Sequence, residues 1–290
     1  MIRTINDAYL DLRAEFRKRG IPGYEVEARE LVTFALELDY DQLAEKRNQF
    51  IFEKDEQRIR ALKEQRYAGV PIQHITGRWE FYGLPLEVTT DTLIPRADTE
   101  TLVEVGIELL RERSKGRLLD LCCGTGCVGM AVLKHVSEGI TGVFADLSEP
   151  ALEVTRHNLV KNHLTPRALT IQANAMEDAD PVLGRFHLIL CNPPYIPTDE
   201  IPTLDPEVQR EPRMALDGGA DGLDFYRAVS LNFSAALAKG GALAFEVGLG
   251  QCGNVMQILE EAGFRDIRSR CDLAGVERVV WGIWDPPHHD

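Results

Sequence analysis

The spacing of apolar residues changes along the chain and divides it into three parts. From Ile5 to Phe16, apolar residues recur at three- and four-residue intervals, as on one face of a helix. Similar patterns follow over about 24–38 and 53–67, so residues 1–70 are predicted to form a helical domain. Residues 71–95 contain short aromatic and β-branched runs between glycines and prolines. This composition predicts a β-hairpin linker.

The third part, residues 96–290, alternates between short apolar runs and helical patterns. Seven strands are predicted, over Arg117–Leu121, Gly139–Ala145, Ala168–Gln172, Phe186–Cys191, Gly241–Val247, Asp266–Arg270 and Arg278–Trp284. The helices expected between them include Glu149–Asn162, Leu223–Ala238 and Gln251–Ala262. Such alternation predicts an α/β domain with a parallel sheet covered by helices on both faces. Ligands of these sheets bind beyond the carboxyl ends of the strands.

Composition and charge narrow the class of partner. The 290 residues carry a net charge of −14, whereas a protein that grips nucleic acid by its phosphates needs a basic face. We therefore expect no direct nucleic-acid partner. No apolar stretch reaches the length of a membrane span, and no signal peptide precedes the first helix, so a cytoplasmic protein is expected. The six cysteines and seven histidines show no metal-ligand spacing, and no metal is predicted.

A glycine-rich loop follows the first of the seven strands. Gly124, Gly126 and Gly129 match the spacing of a dinucleotide fingerprint. Asp146, at the end of the next strand, is placed to accept hydrogen bonds from ribose hydroxyls. Nicotinamide dinucleotide and S-adenosylmethionine both carry an adenosine ribose, and a plain tight turn is a third interpretation. Asp120 favours S-adenosylmethionine, because a carboxylate suits a sulfonium and an ammonium group better than a pyrophosphate.

A second motif, Asn192-Pro193-Pro194-Tyr195, directly follows an apolar strand. Two prolines make a stiff, extended turn at the edge of the sheet where the glycine loop lies. The Asn192 side-chain oxygen and the Pro193 carbonyl can each accept one N–H of a substrate –NH2, while Tyr195 can stack on a planar amide or base. Because amide and base nitrogens both satisfy this arrangement, the motif alone predicts only methylation of an –NH2 nitrogen.

Taken together, these motifs resemble the release-factor glutamine methyltransferases (the PrmC, or HemK, family). The resemblance covers nearly the whole chain. The residues that carry it are Pro71, Gly77, Glu80 to Gly83, Leu93 to Glu100, Asp120 to Gly126, Asp146, Asn192 to Tyr195, and Phe245 to Gly248. The segment Ile94-Pro95-Arg96-Ala97-Asp98-Thr99-Glu100 is more specific than Asn-Pro-Pro-Tyr, which nucleic-acid adenine methyltransferases share.

The resemblance implies a Rossmann-like, seven-stranded class I methyltransferase domain, preceded by a small helical substrate-docking domain and a hairpin. It implies N5-methylation of the glutamine in the Gly-Gly-Gln motif of peptide-chain release factors, with S-adenosyl-L-methionine as cofactor. The cofactor would be held by Asp120, Cys122, Cys123, Gly124, Thr125, Gly126, Asp146, Asn174, Ala175 and Asn192. The substrate would be held by Asn192, Pro193, Pro194 and Tyr195, of which Asn192, Pro193 and Tyr195 would be catalytic.

Two positions depart from the family pattern. Cys122 stands where the family usually has glycine, and a non-glycine residue at positive φ would weaken cofactor binding. Asn174 replaces a commonly acidic residue. Three other functions stay open on these grounds: a ribosomal-protein glutamine methyltransferase, a nucleic-acid adenine methyltransferase, and a non-catalytic binding protein of the same fold.

Overall fold

A computed structural model describes residues 3–285, which fall into two compact units; the first ends at Gly77 and the second begins at Arg78. The first unit is helical and the second contains all the strands. No helix in the described range is long and apolar enough to cross a membrane.

The first unit contains five helices: α1 (Ile5–Lys18), α2 (Tyr24–Leu36), α3 (Tyr40–Lys46), α4 (Glu53–Tyr67) and α5 (Ile72–Thr76). Thr4 and Asp7 form a capping box that starts α1, which satisfies backbone N–H groups that have no partner within the helix. Leu12 and Phe16 of α1 pack on Leu31 of α2 in one apolar core. The predicted helices are present. Two short helices were not predicted. Helix α3 buries no residue and so shows no apolar face in the sequence, and α5 lies within 71–95, where only a β-hairpin linker was expected.

The second unit opens with a hairpin of β1 (Arg78–Phe81) and β2 (Leu84–Glu87), joined by Tyr82 and Gly83, both at positive φ. A two-residue turn of this kind matches the twist of the flanking strands. The other helices of this unit are α6 (Glu100–Leu110), α7 (Cys127–His135), α8 (Glu149–Lys161), α9 (Asp224–Asn232) and α10 (Cys252–Glu261). The other strands are β3 (Gly116–Leu121), β4 (Ile140–Asp146), β5 (Ala168–Gln172), β6 (Phe186–Cys191), β7 (Leu237–Glu246), β8 (Phe264–Cys271) and β9 (Glu277–Trp284).

These seven strands form one sheet in the order β5-β4-β3-β6-β7-β9-β8. One face is covered by the hairpin and by α6, α7 and α8, the other by α9 and α10, and the two apolar cores lie on opposite sides of the sheet. The strand order reverses between β3 and β6, so the loops after these strands diverge and leave a crevice at their carboxyl ends.

The predicted seven-stranded sheet, preceded by helices and a hairpin, is confirmed. The expectation of a parallel sheet is wrong at one strand: β9 pairs antiparallel with both β7 and β8, so it alone of the seven runs against the others. The predicted helix Leu223–Ala238 is wrong at its end. The helix stops at Asn232 and β7 begins at Leu237, although Phe233 and Leu237 are both buried and continue the apolar pattern.

Candidate active site

A cavity of about 490 Å³ lies at the carboxyl ends of β3, β4 and β6. Its wall includes the glycine loop, the end of β4, the loop after β5 and the start of the Asn-Pro-Pro-Tyr segment. Residues from 91–99, before α6, and from 212–225, before and at the start of α9, complete it. This is the crevice that the strand order creates. All of the lining residues belong to the second unit.

The glycine loop turns sharply from β3 into α7. Gly124 has a φ of +54°, and a side chain added there would meet no atom within 4 Å, so its backbone faces open space. Gly126 and Gly129 are different, because a Cβ on Gly126 would lie 2.9 Å from Thr155 of α8 and a Cβ on Gly129 would lie 2.7 Å from Phe144 of β4. Gly126 thus allows close packing against α8 and Gly129 lets α7 pack closely on the sheet, whereas Gly124 leaves room for a ligand.

Cys122 adopts the left-handed conformation that the family pattern led us to expect, with φ +58°. Its side chain packs against the apolar core on the α9 and α10 face, and it lines the cavity. Left-handed backbone costs a non-glycine residue about 1–2 kcal/mol. The fold therefore tolerates a strained residue at the place where the loop leaves β3.

Four aspartates line the cavity, Asp91, Asp120, Asp146 and Asp217, and two of them, Asp120 and Asp146, are predicted site residues. Asp146 accepts N–H bonds from Gly124 at 2.9 Å and from Ser148 at 2.9 Å, which fixes its orientation. Asp120 is 2% exposed and accepts a 2.8 Å hydrogen bond from the Gly129 N–H. Burial raises the pKa of Asp120 to about 8, and the nearby Asp146 charge adds to the effect. Burial also raises the pKa of Asp146.

Asn192 follows β6 directly. In residues 3–285 its side-chain amide has no hydrogen-bond partner, and it lines the cavity. Cys191, the last residue of β6, is in register with Leu121 of β3 and Phe245 of β7. The hydrogen-bonded strands on both sides therefore fix the backbone position from which Asn192 extends. An asparagine held by its backbone with a free amide is available for a ligand.

Tyr195 lies at the other end of the motif. Its hydroxyl donates to Glu246 Oε1 at 3.4 Å and its carbonyl accepts from Gln251 Nε2 at 2.8 Å. Burial raises the pKa of the Tyr195 phenol, and the Glu246 charge adds to that effect. Tyr195 is therefore a neutral hydrogen-bond donor at physiological pH.

The segment before α6 is joined to the long loop that follows Asn-Pro-Pro-Tyr. Glu211, buried in that loop, accepts the Ile94 N–H at 2.8 Å and pairs with the Arg96 guanidinium. Asp98 pairs with Arg278 at 3.1 Å. The segment Ile94 to Asp98 is therefore tied to the long loop by Glu211 and to β9 by Arg278. We call the contact between this segment and Glu211 the clamp. Sequence reasoning missed Glu211, because its partners lie 115 and 117 residues away.

Most predicted site residues meet at the cavity. Those that line it are Asp120, Cys122, Cys123, Gly124, Thr125, Asp146, Asn174, Ala175, Asn192 and Pro194. Gly126, Pro193 and Tyr195 do not line it, and their roles stay predictions. The cysteines here are not activated nucleophiles, because burial raises the pKa of the Cys127 thiol to about 12. Within residues 3–285 there is no group of His, Cys, Asp or Glu side chains that could hold a metal ion.

Two curated relatives match almost the whole chain. A release factor glutamine methyltransferase from Bradyrhizobium diazoefficiens is 39% identical over 290 residues, covering 98% of this chain and 96% of that protein. One from Agrobacterium fabrum is 35% identical, covering 96% of each. The chain belongs to the release factor glutamine methyltransferase family.

Two family models match the chain, one in each of its two units. The PrmC N-terminal domain matches residues 7–77 and the methyltransferase small domain matches residues 98–204. A solved methyltransferase from Pyrococcus furiosus aligns with a TM-score of 0.52 at 15% identity, covering 81% of this chain and all of that one. That likeness concerns the fold alone. The second unit is thus a class I methyltransferase domain, as the resemblance implied.

Proposed function

We propose that this protein transfers a methyl group from S-adenosylmethionine to the side-chain nitrogen of a glutamine in peptide-chain release factors. The observation that carries the proposal is the Asn192 amide, which is fixed at the end of β6 and available to a ligand at the cavity wall. Membership of the family supports glutamine as the acceptor and release factors as the protein partner. The proposal places the protein in the cytoplasm, where release factors act.

The residues present fit the proposed cofactor. Gly124 leaves open space beside its backbone, Asp146 offers carboxylate oxygens to ribose hydroxyls, and Asp120 offers a negative charge to cationic groups. A cavity of about 490 Å³ is within the range of small-molecule sites. Asn174 and Ala175 would lie at the adenine. When bound, the cofactor supplies an electrophilic methyl group on a sulfonium.

The chain's own contribution is to hold the acceptor nitrogen. An amide nitrogen is a poor nucleophile because its lone pair is delocalised; the rotation barrier of about 18–20 kcal/mol gives the scale of that resonance. With one N–H donated to the Asn192 side-chain oxygen and the other to the Pro193 carbonyl, the nitrogen is held in one orientation. Such positioning is the main catalytic device of this site. Pro194 stiffens the segment and Tyr195 anchors its end.

The first unit of the chain would dock the protein substrate. Its role is proposed from the family, whose N-terminal domain model matches residues 7–77. A net charge of −14 favours a protein over a nucleic acid as the partner. Substrate docking by a separate domain also suits a target that lies in a short motif of a large protein.

Mass spectrometry of a release factor incubated with the protein and S-adenosylmethionine tests the proposal. We expect a gain of one methylene on the glutamine of Gly-Gly-Gln, and none when that glutamine is alanine. Labelling of a ribosomal protein or of nucleic acid instead would contradict the proposed substrate. Failure to bind S-adenosylmethionine at millimolar concentration would indicate a non-catalytic binding protein.

A pair of variants tests the role of Asn192. Asn192→Ala is expected to retain cofactor binding and to lower turnover by about 100-fold or more, because positioning of the nitrogen is lost. Asn254→Ala, which changes an exposed residue of α10, is the matched control and should turn over normally. Normal turnover by Asn192→Ala would refute the assignment.

A further inference from the structure

The loops behind the Asn-Pro-Pro-Tyr segment meet at one side chain, Gln251, at the start of α10. Its Nε2 donates to the Tyr195 carbonyl at 2.8 Å and lies 3.4 Å from the Gly222 carbonyl. Its Oε1 accepts the Gly248 N–H at 3.0 Å and lies 3.2 Å from the Tyr226 hydroxyl. One amide therefore joins both ends of the loop between β6 and α9, the turn between β7 and α10, and α9 itself.

The amide of Gln251 can take only one orientation here. The reverse orientation would bring its oxygen against the Tyr195 carbonyl and its –NH2 against the Gly248 N–H, so both contacts would become repulsive. Both N–H donors of the side chain face carbonyl groups, and its oxygen accepts the Gly248 N–H. The single hydrogen of the Tyr226 hydroxyl is shared between that oxygen and the Glu246 carbonyl, which lies nearer at 3.0 Å. A glutamine whose amide is matched by three backbone groups and approached by a tyrosine hydroxyl is more constrained than a surface glutamine.

The neighbouring glycines leave the space that this amide occupies. Gly222 has a φ of +73°, and a Cβ there would lie 2.4 Å from the Tyr195 carbonyl oxygen and 2.7 Å from Gln251 Nε2. A Cβ on Gly248 would lie 2.7 Å from Gln251 Oε1. All three distances are shorter than packed atoms allow. The backbone of two loops is thus shaped around the Gln251 side chain.

This arrangement fixes the far end of the catalytic motif. The near end is held by β6, whose last residue, Cys191, lies in the ladder between β3 and β7. Two prolines between the ends restrict the backbone, so a shift of the Tyr195 carbonyl moves the Pro193 carbonyl with it. We propose that Gln251 is a positioning residue for methyl transfer, which sets the Pro193 carbonyl through Tyr195; this inference rests on the proposed function.

Gln251 itself is separate from the predicted binding contacts. It does not line the cavity, and none of its four partners belongs to the glycine loop or to the end of β4. Its loss should therefore change the rate of the methyl-transfer step and leave cofactor affinity unchanged. A residue that only stabilised the fold would instead lower the fraction of protein able to bind cofactor.

Two nearly isosteric variants and one control separate these outcomes. Gln251→Met removes all four polar contacts, and Gln251→Glu keeps the acceptor for Gly248 but places an oxygen against the Tyr195 carbonyl. Gln257→Met changes an exposed glutamine of the same helix that contacts Glu261 and serves as the control. We measure kcat and KM on a release factor, with kcat expressed per site that binds S-adenosylmethionine, so that unfolded protein does not count.

Both Gln251 variants should lose about 100-fold in kcat per binding site, with cofactor Kd within about twofold of the parent protein and Gln257→Met unchanged. An unchanged kcat per site in Gln251→Met would overturn the inference, as would a loss of activity matched by loss of binding sites. If the parent protein itself fails to methylate the release factor, the proposed function fails. If the parent is active and the Gln251 variants are equally active, only this inference fails.

Discussion

The buried carboxyl of Glu246 predicts how the free energy of unfolding changes with pH, and the structure gives the magnitude of that change. Glu246 ends β7, is 2% exposed, and receives the Tyr195 hydroxyl on Oε1. Its Oε2 is buried outside hydrogen-bonding geometry with any group in residues 3–285, although the nearby Thr99 hydroxyl and the Arg278 charge help the ionised form. Burial outweighs this help and raises the pKa of Glu246 to about 7.

A raised carboxyl pKa makes the folded state bind more protons than the unfolded state over a defined range. The ordinary pKa of 4.5 applies when the chain is unfolded and about 7 when it is folded, so stability falls as pH rises between these values. The loss is absent below about pH 4.5 and complete above about pH 7. The difference between these two pKa values corresponds to about 3 kcal/mol in the free energy of unfolding.

Glu246→Gln removes the titration while an amide oxygen still accepts the Tyr195 hydroxyl. We expect the variant to match the parent protein near pH 4.5 and to be more stable by up to about 3 kcal/mol near pH 8. Urea unfolding followed by tryptophan fluorescence measures this, because Trp79, Trp281 and Trp284 all lie in the second unit. The exposed Glu260 of α10 provides the control, Glu260→Gln.

Two results would refute this reasoning. One is a difference between Glu246→Gln and the parent that is the same at both pH values, since that would be a packing effect and not a titration. The other is a parent protein that is more stable than the variant near pH 8, which would mean that the ionised carboxylate is well compensated in the fold.

Three further predictions concern the cavity and its clamp. Cys122→Gly relieves strain of about 1–2 kcal/mol at φ +58°, but the entropy cost of glycine and the lost packing of the side chain on the core offset it. The free energy of unfolding should therefore change by less than about 1 kcal/mol; a larger change in either direction would contradict this balance. At about pH 7 the Asp120 carboxyl, with a pKa of about 8, is mostly protonated, so binding a cationic cofactor should release close to one proton. Calorimetry in buffers of different ionisation enthalpy measures that release, which Asp120→Asn should abolish. Glu211→Ala removes the partner of Arg96 and should speed limited proteolysis within residues 193–222, whereas unchanged cleavage would exclude a clamp.

The local sequence pattern was sufficient to predict those strands and helices whose bounds are set by residues close by in the chain. The strands Ala168–Gln172 and Phe186–Cys191 were predicted at their observed bounds, because each is a short, mostly apolar segment bounded by polar or turn-forming residues. The predicted helix Leu223–Ala238 ran too far since Phe233 and Leu237 are buried in either conformation. The antiparallel direction of β9 depends on how the sheet closes, which strand periodicity does not encode.

The same division applies to the candidate site. The glycine loop, Asp146 and Asn192 each follow a strand, and the rule that ligands bind beyond strand ends was enough to bring them together. Gln251 and Glu211 act through contacts with residues 56 and 117 positions away. Nothing in their local sequence distinguishes them from surface side chains, so only the folded arrangement reveals them.

The buried carboxyl groups of Asp120 and Glu246 have different neighbours in the site, a cavity in one case and the Tyr195 hydroxyl in the other. Asp120 and Glu246 lie on β3 and β7, the strands on either side of β6, and burial raises the pKa of both. Asp120 lines the cavity, so a cationic ligand would favour its ionised form and offset the cost of burying it. Glu246 does not line the cavity and faces the Tyr195 hydroxyl instead. The pH dependence of cofactor binding should therefore follow Asp120, whereas that of the methyl-transfer rate should follow Glu246 through Tyr195.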